Sequence, residues 1–206
     1  MAMEDGRRGR GALTPNNRQM KPALLFVIGA SGAGKTAAVQ ALDARALPGV
    51  QCHYLDSIDV PPTEIMERDF GTGERWQAHA TAHWVERLAA NRDAANIAVL
   101  DGQTRPSFIR AALARTGVRH ARIVLLDCDP RVRAARLAGP RGQPELVTQG
   151  MDAWAAYLRG QADALGLPVV DTAHRSIDAV ADALQEQLEL LRAEAAAEQA
   201  LEAGGR

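Results

Sequence analysis

Residues 24–36 read LLFVIGASGAGKT, and the architecture of the chain can be built outward from them. Leu24, Leu25, Phe26, Val27 and Ile28 form an unbroken apolar run with no polar alternation. That pattern predicts a strand buried on both faces of a parallel sheet. Gly29, Gly32 and Gly34 then let the backbone turn sharply and point successive N–H groups at an anion. Gly29–Thr36 satisfies G-x-x-x-x-G-K-[ST], in which the backbone of Gly29, Ala30, Ser31, Gly32, Ala33 and Gly34 cradles a phosphate chain. A helix starting near Gly34 adds its N-terminal dipole. Lys35 is expected to reach the β- and γ-phosphates, and the Thr36 hydroxyl to take one position on Mg²⁺. A chance match in a glycine-rich turn would not bring a strand before it and a helix after it.

The rest of the chain bounds what surrounds this loop. Its 206 residues are 47% hydrophobic, enough for one domain with a true core, or one domain with a small lid. A formal charge of −1 offers no global basic footprint, so nucleic-acid binding is not expected. Cys52 and Cys128 sit in apolar runs without CxxC spacing and read as reduced core residues. No run approaches a membrane span, and we expect a soluble, cytoplasmic protein. Residues 1–20 read as a disordered arm, 21–191 as the domain, and 192–206 as a helical or flexible tail.

Further apolar runs at Val50–Leu55, Ile97–Leu100, Ala121–Leu126 and Pro168–Val170 alternate with helical patterns at 35–46, 76–91, 106–116 and 145–165. Such alternation predicts a parallel sheet wrapped by helices, with ligands at the carboxyl ends of the strands. The residues just past each run therefore matter most. Asp56, and three positions on Asp59, follow the second run; each either serves Mg²⁺ or a substrate hydroxyl, or caps a turn. Asp101 ends the third run, where a carboxylate holds Mg²⁺ through water, and Arg105 follows within reach of the phosphates. After the fourth run, Arg131, Arg133, Arg136 and Arg141 crowd a segment broken by AGPRGQP. A flexible arginine-bearing segment suits a lid over a transferring phosphoryl group. Asp171 and Thr172 end the fifth run and either face a base or cap a turn. His79 and His83 share a helix face at i, i+4 spacing without an evident third zinc ligand. On the same helix, Arg75, Trp76 and Trp84 suit either a substrate wall or the core.

Together these pieces resemble the nucleoside-monophosphate-kinase-like P-loop phosphotransferases, over roughly residues 22–185. VLDGQTR is similar to the LLDGFPR-type segment of adenylate kinases, which implies a phosphate-contacting role for Arg105. YLDS resembles the DS segment of shikimate and chloramphenicol kinases, which implies that Asp56 serves the substrate hydroxyl or Mg²⁺. AARLAGPRGQP resembles their lid, at about 136–147, and implies Arg136 against adenine and Arg141 beside the γ-phosphate. The resemblance implies a three-layer αβα fold with a five-stranded parallel sheet ordered 2-3-1-4-5 and a short lid. It also implies an ATP- and Mg²⁺-dependent kinase with Lys35, Asp56, Arg105 and Arg141 catalytic and Thr36 and Asp101 on the metal. No arginine pair for a nucleoside monophosphate stands out, which favours a small hydroxylated metabolite or antibiotic as acceptor. GKTAAVQALDARALPGVQCHYLDS also resembles the RNase adaptor proteins, so a nucleotide-sensing regulator is the second reading.

Overall fold

The computed structural model describes residues 22–57, 60–91 and 97–204. Five strands, β1 (Ala23–Ile28), β2 (Val50–Tyr54), β3 (Ile97–Gly102), β4 (Ala121–Asp127) and β5 (Val169–Asp171), form one parallel sheet ordered β2-β3-β1-β4-β5. The helices are α1 (Lys35–Asp43), α2 (Thr63–Phe70), α3 (Gly73–Ala90), α4 (Pro106–Thr116), α5 (Pro130–Ala138), α6 (Gln149–Leu165) and α7 (Ile177–Gly204). This is the expected layered fold and strand order.

β1 lies at the centre because every one of its six residues is buried. Successive side chains leave opposite faces, and each face has its own core. Leu25 and Val27 pack with Val39 and Leu42 of α1 and Leu184, Leu188 and Leu191 of α7. Leu24, Phe26 and Ile28 pack with Trp84 and Leu88 of α3, Ile109 of α4 and Leu158 of α6. Fully burying one such side chain is worth about 1.5–3 kcal/mol. Side-chain caps fix four helix starts among the described residues: Thr72 accepts from Arg75 N, Asp129 from Arg131 N and Val132 N, Thr148 from Met151 N, and Ser176 from Ala179 N. Each cap contributes about 1 kcal/mol.

Some boundaries differ from the sequence reading. α3 begins at Gly73, three residues early, because Thr72 caps it. α6 begins at Gln149, because Pro144–Leu146 makes a separate 3₁₀ turn. α2 has no counterpart in the reading, since it is only eight residues long and none of them is buried. The expected boundary at 191/192 falls inside α7, whose far end is tied down by side chains. Arg192 donates to the Pro48 carbonyl at 2.7 Å, Glu194 pairs with Arg122, and Glu198 pairs with Arg119 at 2.8 Å. The arm at 1–20 lies outside the described residues.

His53 of β2 stands beside the Trp84 ring, with centroids 5.7 Å apart. Burial lowers its pKa below the usual histidine value, the Arg87 charge adds to this, and Asp43 opposes it. The unfolded chain thus binds the proton more readily, so stability is full above about pH 6.5 and falls as pH drops through the folded value. Between about pH 7 and pH 5 the unfolding temperature is expected to fall more in the wild type than in His53→Gln. Equal falls would contradict this.

Candidate active site

The loop after β1 takes the shape its glycines permit. Gly32 and Gly34 have φ of +81° and +89°, the left-handed region that side chains avoid. Gly34 is the residue from which α1 departs, so the loop leads directly into a helix N-terminus. Lys35, only 8% exposed, donates its Nζ hydrogen to the Ala30 carbonyl at 3.3 Å and spans the loop from inside. Burial pushes its pKa down; Asp101 and Asp56 act in the opposite sense, and Arg141 adds to the lowering.

Thr36 donates its hydroxyl to Asp101 Oδ2 at 2.7 Å. Asp101 is placed by sheet register, opposite Val27 of β1 and Tyr54 of β2. Its burial raises its pKa, while Lys35 and the Thr36 hydroxyl pull it down. Asp101 Oδ1 is buried and has no hydrogen-bond partner, the state in which a carboxylate oxygen is costly unless something binds it. A hydroxyl next to a free carboxylate oxygen is a hard-oxygen donor set that fits Mg²⁺.

A cavity of about 680 Å³ opens in front of this loop. Gly32–Thr36 line it together with Arg136, Arg141, Thr172, Arg175 and Ile177. Arg136 is held edge-on: Nη2 donates to the Thr172 carbonyl at 2.6 Å, and Nη1 to Thr172 Oγ1 at 3.1 Å. Its flat face is the part left for a stacking partner. Thr172 in turn donates to the Ala33 carbonyl at 2.8 Å, which ties Arg136 to the glycine loop. Arg141 sits in the tight turn after α5, where its backbone N–H donates to Arg136 O at 3.1 Å and its side chain bonds Gln143.

Asp56 is exposed in the 3₁₀ turn after β2, and its charge is felt by both Lys35 and Asp101. Asp59 lies outside the described residues. Arg105 takes another direction. Its guanidinium lies 4.9 Å from the Trp154 ring centroid, 5.3 Å from Phe108 and 5.6 Å from Tyr157. It donates to Gln77 Oε1 at 2.6 Å and reaches Glu74 Oε2 at 3.3 Å. Gln77 Nε2 donates to the Gln103 carbonyl at 2.8 Å, and Ser31 donates to Gln103 Oε1 at 2.9 Å. A continuous chain of hydrogen bonds therefore runs from the glycine loop to the first turns of α3.

Sequence reasoning did not single out Glu74, Gln77, Gln103, Trp154 or Tyr157. Gln103 stood two residues past Asp101, and Trp154 and Tyr157 share a helix face at i, i+3, but nothing local joined them to Arg105. Arg133, read with its neighbours as lid charge, is 2% exposed, pairs with Asp152 and packs beneath Gly32. Trp84 is core, with Nε1 donating to the Leu55 carbonyl at 3.2 Å. His79 and His83 are exposed, and the His79 ring lies tilted against Phe70; among the described residues no three metal-binding side chains gather. Asp171 caps its turn by accepting from Ala173 N at 2.8 Å. Burial and Asp43 push the Cys52 thiol up to about 12, and Cys128 is buried beside Arg136. No described helix is long and apolar enough to cross a membrane.

The sheet order, the glycine loop and the flanking helices define the P-loop kinase fold. A gluconokinase from Sinorhizobium meliloti 1021 matches 83% of this chain and 98% of its own, at TM-score 0.57 and 22% identity. A sugar kinase from Janibacter sp. HTCC2649 matches 82% and 95%, at 0.56 and 17%. The tunicamycin resistance protein of Deinococcus radiodurans matches 82% and 96%, at 0.56 and 18%. No family model matches the chain, and no curated protein matches its sequence.

Proposed function

We propose that this chain is an ATP- and Mg²⁺-dependent phosphotransferase that moves the γ-phosphoryl group to a hydroxyl of a small metabolite or antibiotic. The observation that carries the reading is the Thr36–Asp101 pair beside buried Lys35, with Asp56 close enough for its charge to act on both Lys35 and Asp101. Fold neighbours that include a sugar kinase and a gluconokinase support a small acceptor.

The residues divide the work by position. Arg136 offers its face to the base, and the amides of Gly29–Thr36 take the phosphates. Thr36 Oγ1 and the free Asp101 Oδ1 would hold Mg²⁺, which would supply positive charge beside the phosphates. Lys35 and Arg141 stabilise the charge that builds on the transferring group. Asp56 accepts the acceptor's hydroxyl proton as that oxygen bonds to phosphorus and the bond from phosphorus to the β–γ bridging oxygen breaks, releasing ADP. Arg105, held by α3 and α6 side chains, belongs to the acceptor side.

Asp56→Asn keeps the shape and removes the base. Transfer of label from γ-labelled ATP into the small molecules of a metabolite extract is expected to fall about 10²–10⁴-fold. MgATP affinity should stay within about twofold by calorimetry. Equal transfer by the variant would remove Asp56 from the mechanism. Tight MgATP binding with no transfer by the wild type would instead favour the nucleotide-sensing regulator.

A further inference from the structure

β1 and β3 leave the sheet side by side. Register sets Gly102 of β3 level with Ile28 of β1, so Gln103 emerges beside the start of the glycine loop. Two contacts fix it there. Its carbonyl accepts from Gln77 Nε2 at 2.8 Å, and its side-chain Oε1 accepts from the Ser31 hydroxyl at 2.9 Å. Thr104, the next residue, is buried, and its hydroxyl meets that of Thr81 at 2.6 Å. With Oε1 taken, the Gln103 amide keeps two hydrogens on Nε2. Among the described residues nothing accepts them, and the side chain is only half-buried.

Ser31 occupies the part of the loop that meets the outer phosphates. In a loop of this kind the lysine reaches the β- and γ-phosphates. Here Lys35 Nζ lies 3.3 Å from the carbonyl of Ala30, the residue before Ser31. Asp101, whose Oδ1 is free, stands two residues before Gln103. We propose that Gln103 binds the γ-phosphate through Nε2, and that this bond lets the site tell a nucleoside triphosphate from a diphosphate. The inference rests on the nucleotide half of the phosphotransfer reading and not on the acceptor. Lys35 and Arg141 are charges, and they attract any phosphate over several ångströms. A neutral amide helps only an oxygen within hydrogen-bond distance, so it gains from the third phosphate and loses that gain once the group has left. The Ser31 bond matters because it orders the amide before the nucleotide arrives, and an ordered donor forfeits less entropy on binding.

Calorimetry with MgADP, and with the Mg²⁺ complex of the β,γ-imido analogue of ATP, reads this preference without an acceptor. Gln103→Leu removes the donor and is expected to weaken the imido analogue about tenfold or more, with MgADP within about twofold. Gln103→Glu keeps an oxygen for Ser31 but sets an anion against the third phosphate. It should weaken the analogue further than Gln103→Leu does, at an unchanged unfolding temperature. Ser31→Ala frees the amide and should give a smaller loss with the same selectivity. A glutamine that only holds the loop gives another pattern: Gln103→Leu weakens both nucleotides equally, and Gln103→Glu binds both like the wild type. Either of those results overturns the proposal. Selective loss in a protein that transfers phosphate to nothing supports it while the phosphotransfer reading fails. A wild type that binds neither nucleotide overturns both.

Discussion

Lys35→Met is expected to lower phosphoryl transfer about a thousandfold while leaving the unfolding temperature equal to the wild type or higher. Both halves follow from the burial of Lys35 at 8% exposure. A cation aimed from inside the loop at the transferring group is worth most where water is excluded, and removing one such stabiliser costs about 10²–10³-fold or more. The same burial makes the charge expensive when no phosphate is present, which is why its pKa is pushed down. Methionine fills nearly the same space without that cost, so the empty protein loses nothing by the change. Label transfer and thermal unfolding measured on one preparation check both halves. Activity within tenfold of the wild type, or a marked fall in unfolding temperature, would contradict the account.

Gly29→Ala is expected to be the most damaging single methyl in the fold. A Cβ at Gly29 would stand 2.5 Å from the backbone oxygen of Leu126, and that oxygen belongs to β4, paired directly with β1. Neither strand can withdraw, because both are buried at the centre of the sheet. Overpacking of this kind costs about 1–3 kcal/mol and sometimes more. In a domain of this size that lowers the unfolding temperature by roughly 2–4 °C per kcal/mol. Gly160→Ala is the control: it is exposed in α6, an added Cβ there meets nothing within 4 Å, and helix propensity should make it neutral or stabilising. Similar unfolding temperatures for the two variants would contradict the packing argument.

The parts of the site that could be read from sequence are those built by contiguous chain. Strand, glycine turn and helix follow one another between residues 23 and 43, so their chemistry is local. Asp101 was readable because a polar residue ending an apolar strand has only one place to go in a parallel sheet. Arg105 was harder. Its direction is set by Gln77, 28 residues earlier, and by Trp154 and Tyr157 on a helix packed from elsewhere, and no local pattern encodes that meeting. Arg133 shows the same limit. Among neighbouring arginines it reads as lid charge, and only the approach of Asp152 makes its burial tolerable. The α2 segment was missed for a different reason. It is only eight residues long and none of them is buried, so no run of core residues marks it.

The most direct test of the central claim is where the label of γ-labelled ATP goes when the wild-type protein, Mg²⁺ and a small-molecule extract are incubated together. The account predicts label in a phosphorylated small molecule, with one ADP formed for each product and little free phosphate. Label released only as inorganic phosphate, or retained in ATP despite tight binding, would contradict it.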